Sequence, residues 1–255
     1  MSKEIIVERG TKTVYREGSK IIKQFKAGYP KSAVIKEAFN HALAEESGLN
    51  VPALLEVKNT GHAVFVKDEY LAGEGWALVI EAVEGKTMAQ LMAEQPENLE
   101  ALMEQFVEIQ SDIHRHTCKQ MGRLKDKLNA QISSLRDELD ASTRYELHVR
   151  LENMKPHTKI THGDFNPTNV LIGADGKVYI LDWAHAAIGN ASADAAMTYL
   201  QFALEDQKKA DLYLKERYRH AVCAALAAHC RRRADDQEAW RGKGFFDWLD
   251  AGCGI

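Results

Sequence analysis

The sequence predicts an α+β chain in two parts: a small N-terminal β-sheet crossed by one helix, then a larger, mostly helical half. Three observations lead there. Short β-rich runs divided by turn residues fill the N-terminal third, a single helical pattern interrupts them, and beyond Gly85 the apolar spacing is almost wholly helical. Ile5-Ile6-Val7, Thr13-Val14-Tyr15 and Lys20 to Phe25 are the first strand runs, separated by turns at Arg9–Lys12 and Arg16–Ser19. From Ser32 to about Glu46, Val34, Ala38 and Leu43 share one face of a predicted helix, which Gly48 to Pro52 ends. Leu54 to Val57, Ala63 to Val66 and Trp76 to Ile80 read as three further strands. A boundary after Val83 would divide the chain into residues 1–83 and 84–255.

In the second part, Thr87 to Glu94 forms a short predicted helix. Asn98 to about His116 forms a longer one, with Leu102, Phe106, Ile109 and Ile113 as its buried stripe. Leu124 to Met154 reads as two charged helices. The stretch from Ala191 to Ile255 is helical and rich in aromatics, among them Tyr199, Phe202, Tyr213, Tyr218, Trp240 and Trp248. His114 and His116 are two apart, a spacing that splays them on a helix, so they do not predict a zinc site.

Composition narrows the function. A net charge of −4 with 27% charged and 45% hydrophobic residues suits neither a disordered chain nor a nucleic-acid binder. The basic run Arg231-Arg232-Arg233 is placed to complement a helix C-terminus. No apolar run is long enough to span a membrane, and the Met1-Ser2-Lys3-Glu4 start does not read as a signal peptide. Cys118, Cys223, Cys230 and Cys253 lack metal-ligand spacing and are expected to be reduced thiols. A cytoplasmic enzyme with neither nucleic-acid nor membrane partners is the expectation; oligomeric state is left open.

The chemistry concentrates in His162-Gly163-Asp164-Phe165-Asn166-Pro167-Thr168-Asn169 and in Leu181-Asp182-Trp183. Asp164, Asn169 and Asp182 supply a carboxylate for an acceptor hydroxyl and hard oxygen ligands for Mg²⁺, as metal-assisted phosphoryl transfer requires. Val170–Ile172 and Val178–Leu181 are β-rich, and Asp175-Gly176 between them is a strong hairpin signal. A hairpin there returns Asp182 toward Asn169. His162 is expected to pack and order this loop rather than to move a proton.

At these residues the chain resembles the aminoglycoside phosphotransferase and choline kinase family, relatives of the protein kinases. Gly163 stands where protein kinases have Arg, and Trp183-Ala184 where they have Phe-Gly. The resemblance implies a bilobal protein-kinase-like fold with ATP between the lobes. It implies Asp164 as catalytic base, with Asn169 and Asp182 as ligands of Mg²⁺. It also implies a phosphate-binding lysine on a strand before the crossing helix, paired with a carboxylate on that helix. Lys23 fits, since period two places it on one face with Ile21 and Phe25, and Glu37 is the matching acid. Lys20 and Lys26 compete with Lys23, and Glu45 or Glu46 with Glu37. No G-x-G-x-x-G is present; Gly10 to Lys12 is the candidate backbone over the phosphates. By the same resemblance, the Glu81 carbonyl and Val83 amide would bind the base.

The acceptor is expected to be a small molecule bearing a hydroxyl, such as an aminoglycoside, choline or a sugar. Only eleven residues separate Asp182 from Asp194, too few for the segment with which protein kinases bind a polypeptide. Carboxylates for a polycation and aromatics for a quaternary ammonium are both present in the C-terminal segment, so neither distinguishes the acceptor. A catalytically silent nucleotide-binding regulator is the alternative, and a protein kinase a further one.

Overall fold

The computed structural model describes residues 3–66 and 69–217. In chain order the elements are β1 (Glu4–Glu8), β2 (Lys12–Glu17), β3 (Lys20–Phe25), α1 (Lys31–Glu46), β4 (Leu54–Val66), β5 (Glu69–Glu81), β6 (Gly85–Thr87) and α2 (Met88–Glu94). Then come α3 (Leu99–Ile113), α4 (Leu124–Ser134), α5 (Ala141–Asn153), β7 (Lys159–Thr161), β8 (Val170–Gly173), β9 (Val178–Ile180), β10 (Ala187–Gly189), α6 (Ala191–Glu205) and α7 (Gln207–Arg217). They divide into two compact units: Met1–Thr87 with Asn169–His185, and Met88–Thr168 with the residues from Ala186 onward.

The first unit is built on an antiparallel sheet of strand order β1-β2-β3-β5-β4. Alternation gives the sheet two apolar faces. Phe25 and Leu78 pack with Val34 and Ala38 of α1 on one face, while Ile22, Ala77 and Val79 gather against Tyr15 on the other. Gly48, at φ 91°, ends α1, and the amides of Gly48 and Leu49 turn back onto the carbonyls of Glu45 and Ala44.

The two runs expected within residues 54–66 are one strand. Between them Asn59-Thr60-Gly61 form a bulge: the pairing register shifts between Asn59 and Gly61, Gly61 takes φ 86°, and the Asn59 side chain accepts its amide at 2.7 Å. Turn-forming residues here bend a strand without ending it.

The same unit contains a small sheet of order β6-β8-β9. Asp175 and Gly176 close its hairpin, Gly176 at φ 78° and the Asp175 side chain accepting the Lys177 amide at 3.1 Å. Gly85 is sterically required, because a Cβ there would overlap the Ile172 carbonyl oxygen across the β6–β8 pair.

In the second unit, α3 buries Met103, Phe106, Val107, Gln110 and Ile113. The expected stripe is therefore rotated: Phe106 and Ile113 belong to it, whereas Leu102 and Ile109 are only half-buried. The buried Gln110 explains the difference. Its amide donates to Thr198 at 2.9 Å and its carbonyl accepts from the Tyr213 hydroxyl, so a polar residue occupies a core position that apolar spacing alone would assign elsewhere. α4 and α5 pack through Ile132, Leu147 and Leu151 onto Ala193 of α6. β7 and β10, which the β-rich runs did not reveal, form a two-stranded ribbon pairing Thr161 with Ala187. Readings made for Tyr218 and beyond, including Arg231–Arg233, Trp240, Trp248 and three of the cysteines, lie outside the described residues. Among those described, no helix is long and apolar enough to cross a membrane.

Candidate functional site

Four charged side chains meet in the first unit. Lys23 of β3 lies on the sheet face that α1 covers, and its ammonium pairs with Glu37 of α1 and, at 2.9 Å, with Asp182 Oδ1. Lys20, Lys26, Glu45 and Glu46 take no part in the cluster. Lys12, the first residue of β2, contacts the other Asp182 oxygen at 3.2 Å. All four have little exposure, with Lys12 and Asp182 side chains at 17% and 22%.

Burial and charge oppose each other at every member of this cluster. Burial disfavours the Lys23 ammonium, but Glu37 and Asp182 outweigh it and raise its pKa. Burial likewise works against ionised Asp182, yet Lys23 and Lys12 hold its carboxyl below the usual range. Glu37 is pushed up by burial, against the pull of Lys23. Lys12 is pushed down, by burial and then by the neighbouring Lys23 ammonium.

Asp182 is held by its backbone as well. Its φ of 60° makes it the one non-glycine residue with positive φ among those described, a conformation Asp tolerates better than most. The preceding Leu181 amide donates to the Asn169 carbonyl at 2.8 Å, so the hairpin brings its two ends side by side. Trp183 follows, fully buried, its indole donating to Ile180 and its carbonyl accepting from Asn40 of α1. The donor set of Asp182 carboxylate and Asn169 amide oxygen fits Mg²⁺, which needs few protein ligands when water and phosphate supply the rest. Two ammonium groups already gather on the Asp182 oxygens, so this carboxylate sits where positive charge is favoured.

In the second unit, Phe165 anchors the 162–168 loop. It is fully buried and stacks on Phe106 with centroids 4.5 Å apart, and its carbonyl accepts from Thr198 at 2.8 Å. His162 is also fully buried, its ring edge-on to Phe165 and its Nδ1 accepting the Asp164 amide at 3.3 Å. Below the loop lies Asp194 of α6, whose carboxylate accepts the His162 amide at 3.1 Å, the Gly163 amide at 2.6 Å and His114 Nε2 at 2.9 Å. Arg217 can only donate to His114 Nδ1, at 2.8 Å, so Nε2 carries the proton given to Asp194.

Burial alone would raise the Asp194 pKa, but the hydrogen bonds from His114 and the Gly163 amide outweigh it and lower the pKa. Its stabilising contribution is therefore complete above the free-Asp value of about 3.9 and disappears as pH falls through the lower folded-state pKa. Asp194→Asn removes the charge that organises three donors. Stability should fall by roughly 3–5 kcal/mol, as for breaking a buried charged pair, and thermal unfolding of wild type and variant at neutral pH measures it. An unchanged midpoint would deny Asp194 this role.

Asp164 is positioned from two sides. The Gln201 amide on α6 donates to its Oδ1 at 2.5 Å, and Asn166 donates to the same oxygen at 3.3 Å. Gln201 and Asn166 also line a surface depression of the second unit with Met92, Thr168, Glu205 and Lys209. Three residues of these two clusters escaped the sequence reading. Asp194 served only to measure spacing, and Gln201 carries no motif. Lys12 was noted for its backbone alone, although a lysine opening a strand after a glycine turn was an available signal.

A model described as the phosphotransferase enzyme family matches residues 8–232. No curated protein matches the chain. Among solved structures, the aminoglycoside phosphotransferase APH(4)-Ia is 15% identical, the match covering 99% of this chain and 94% of that one, with a TM-score of 0.62. APH(3'')-Id from Streptomyces rimosus is 18% identical over 98% of this chain and 93% of that one, with a TM-score of 0.60. The choline kinase LicA from Streptococcus pneumoniae is 16% identical over 100% and 88%, with a TM-score of 0.55. At such identities these structures establish the fold, an α+β kinase-like one. The family match spans nearly the whole chain, and the protein belongs to the phosphotransferase enzyme family.

Proposed function

We propose that the protein is an ATP- and Mg²⁺-dependent kinase that transfers the γ-phosphate to a hydroxyl of a small molecule. The observation that carries this reading is the meeting of Lys23, Glu37 and Asp182 in one buried cluster. Isolated buried charges are costly, and a lysine shared by two carboxylates is suited to polyphosphate once one of them turns to a metal.

In this reading residues 1–83, together with the 169–185 hairpin, bind nucleotide, and the remainder of residues 84–255 binds the acceptor. Lys23 holds the phosphates and Glu37 aims it. Asn169 and Asp182 would hold Mg²⁺, which neutralises charge on the phosphates when bound. The Glu81 carbonyl and the Val83 amide would take the base edge; that amide has no hydrogen-bond partner among the described residues. Asp164, with one oxygen fixed by Gln201 and Asn166, would accept the proton of the attacking hydroxyl. The depression beside Gln201 is the acceptor site in this scheme.

A small acceptor is favoured over a polypeptide because the stretch after Asp182 is consumed by a tight turn at Trp183–His185 and by β10. A related solved structure is a complex of APH(4)-Ia with ADP and hygromycin B, which supports testing aminoglycosides first. A cytoplasmic place of action, where ATP and Mg²⁺ are supplied, belongs to the same reading. The test is ADP release with ATP and Mg²⁺ against a panel of aminoglycosides, choline, amino alcohols and sugars. Acceptor-dependent release is the expected result. Tight nucleotide binding with no turnover across the panel would instead identify a silent nucleotide-binding regulator.

A further inference from the structure

The side chain of Lys12 has no role in the nucleotide-binding scheme, which uses only its backbone. It leaves the β1–β2 turn at Arg9–Thr11, opens β2, and is paired with Phe25 in the β2–β3 register. Its side chain nevertheless reaches Asp182, far along the chain, at 3.2 Å. Lys12 holds Oδ2 while Lys23 holds Oδ1, so both oxygens of the metal-site carboxylate carry an ammonium. Mg²⁺ binds carboxylate oxygens at about 2.0–2.1 Å in a strict octahedron and cannot share that approach with an ammonium group. One lysine has to leave before the cation enters.

Lys23 is the less free to do so, since Glu37 also binds it and α1 covers it. Lys12 has no second carboxylate in contact. It extends from the strand that follows the candidate phosphate backbone, Gly10 to Lys12, so an ammonium released from Asp182 is already beside the expected phosphates. Charge balance favours the exchange. Two ammoniums and two carboxylates are neutral together, and a divalent cation arriving with a polyphosphate replaces one partner of each sign.

We infer that Lys12 is a second phosphate-binding lysine, which guards Asp182 against the cation in the nucleotide-free protein and moves to the nucleotide phosphates when they bind. This rests on the kinase reading for its nucleotide half only. It predicts opposite effects of one substitution. In Lys12→Met, the nucleotide-free protein should bind Mn²⁺, followed by the paramagnetic signal of the free ion, about tenfold more tightly, because the competitor on Asp182 is gone. Metal-free ADP binding, measured by calorimetry, should weaken about tenfold or more, as expected for loss of a charge-assisted hydrogen bond. Lys12→Arg should restore ADP affinity in large part.

A purely structural lysine would move both affinities downward, and that outcome overturns the inference. So does unchanged ADP affinity in Lys12→Met, or unchanged Mn²⁺ affinity. If the wild-type protein binds no nucleotide, the kinase reading fails with the phosphate half, and the Mn²⁺ titration alone decides whether Lys12 guards the carboxylate.

Discussion

Asp164→Asn is expected to lower turnover by roughly a hundredfold to ten-thousandfold, the usual contribution of a general base, while leaving nucleotide affinity nearly unchanged. Phosphoryl transfer passes through a loose transition state, so positioning the hydroxyl and accepting its proton are the tasks left to this carboxylate. The substituted amide keeps the size of the side chain. It also presents either an oxygen or a nitrogen to Gln201 and Asn166, and neither arrangement accepts a proton as a carboxylate does. Calorimetry with ADP and a transfer assay with the acceptor found by screening measure the two halves of the expectation. Full turnover would remove Asp164 from the chemistry, and loss of ADP binding in a well-folded variant would assign it to the nucleotide.

The second large effect is expected at Asp182. Replacing it with Ala takes away the carboxylate that Lys23 and Lys12 share and the oxygen ligand proposed for Mg²⁺. Mg²⁺-dependent turnover should fall by about a thousandfold or more, at the upper end of what one electrostatic stabiliser supplies. Asn169→Ala should be milder, because water can replace a neutral oxygen ligand. Turnover as a function of Mg²⁺ concentration is the measurement. A curve identical to wild type in Asp182→Ala would show that the metal lies elsewhere.

Two kinds of signal made parts of this molecule legible in its sequence. Period two put Lys23 on one strand face with Ile21 and Phe25, while Glu37 was matched to it through the family resemblance, and the structure brings the two together. The hairpin was legible because Asp175-Gly176 has few conformations compatible with two flanking β-rich runs. The strand over residues 54–66 read as two runs, since nothing in a short window tells the bulge at Asn59-Thr60-Gly61 from the end of a strand. Asp194 and Gln110 were opaque for a different reason. Acids and amides on helices face water in most proteins, and burial becomes favourable here through distant partners: His114 and the amides of His162 and Gly163 for Asp194, and Thr198 and Tyr213 for Gln110. β7 and β10 are three residues each, too short for a period-two pattern to register.

The first unit is not continuous in the chain, and this bears on its synthesis. Lys23 and Asp182 are 159 positions apart, and β6 must find β8 across all of α2 to α5 and β7. Translation at about 5–20 residues per second puts on the order of ten seconds between the appearance of Glu37 and that of Asp182. During that interval the sheet and α1 can pack through Phe25, Val34 and Leu78, while Lys23 has Glu37 as its carboxylate partner. The buried charge cluster thus cannot close until Asp182 has been made, and a chain that stops short of the hairpin cannot complete it.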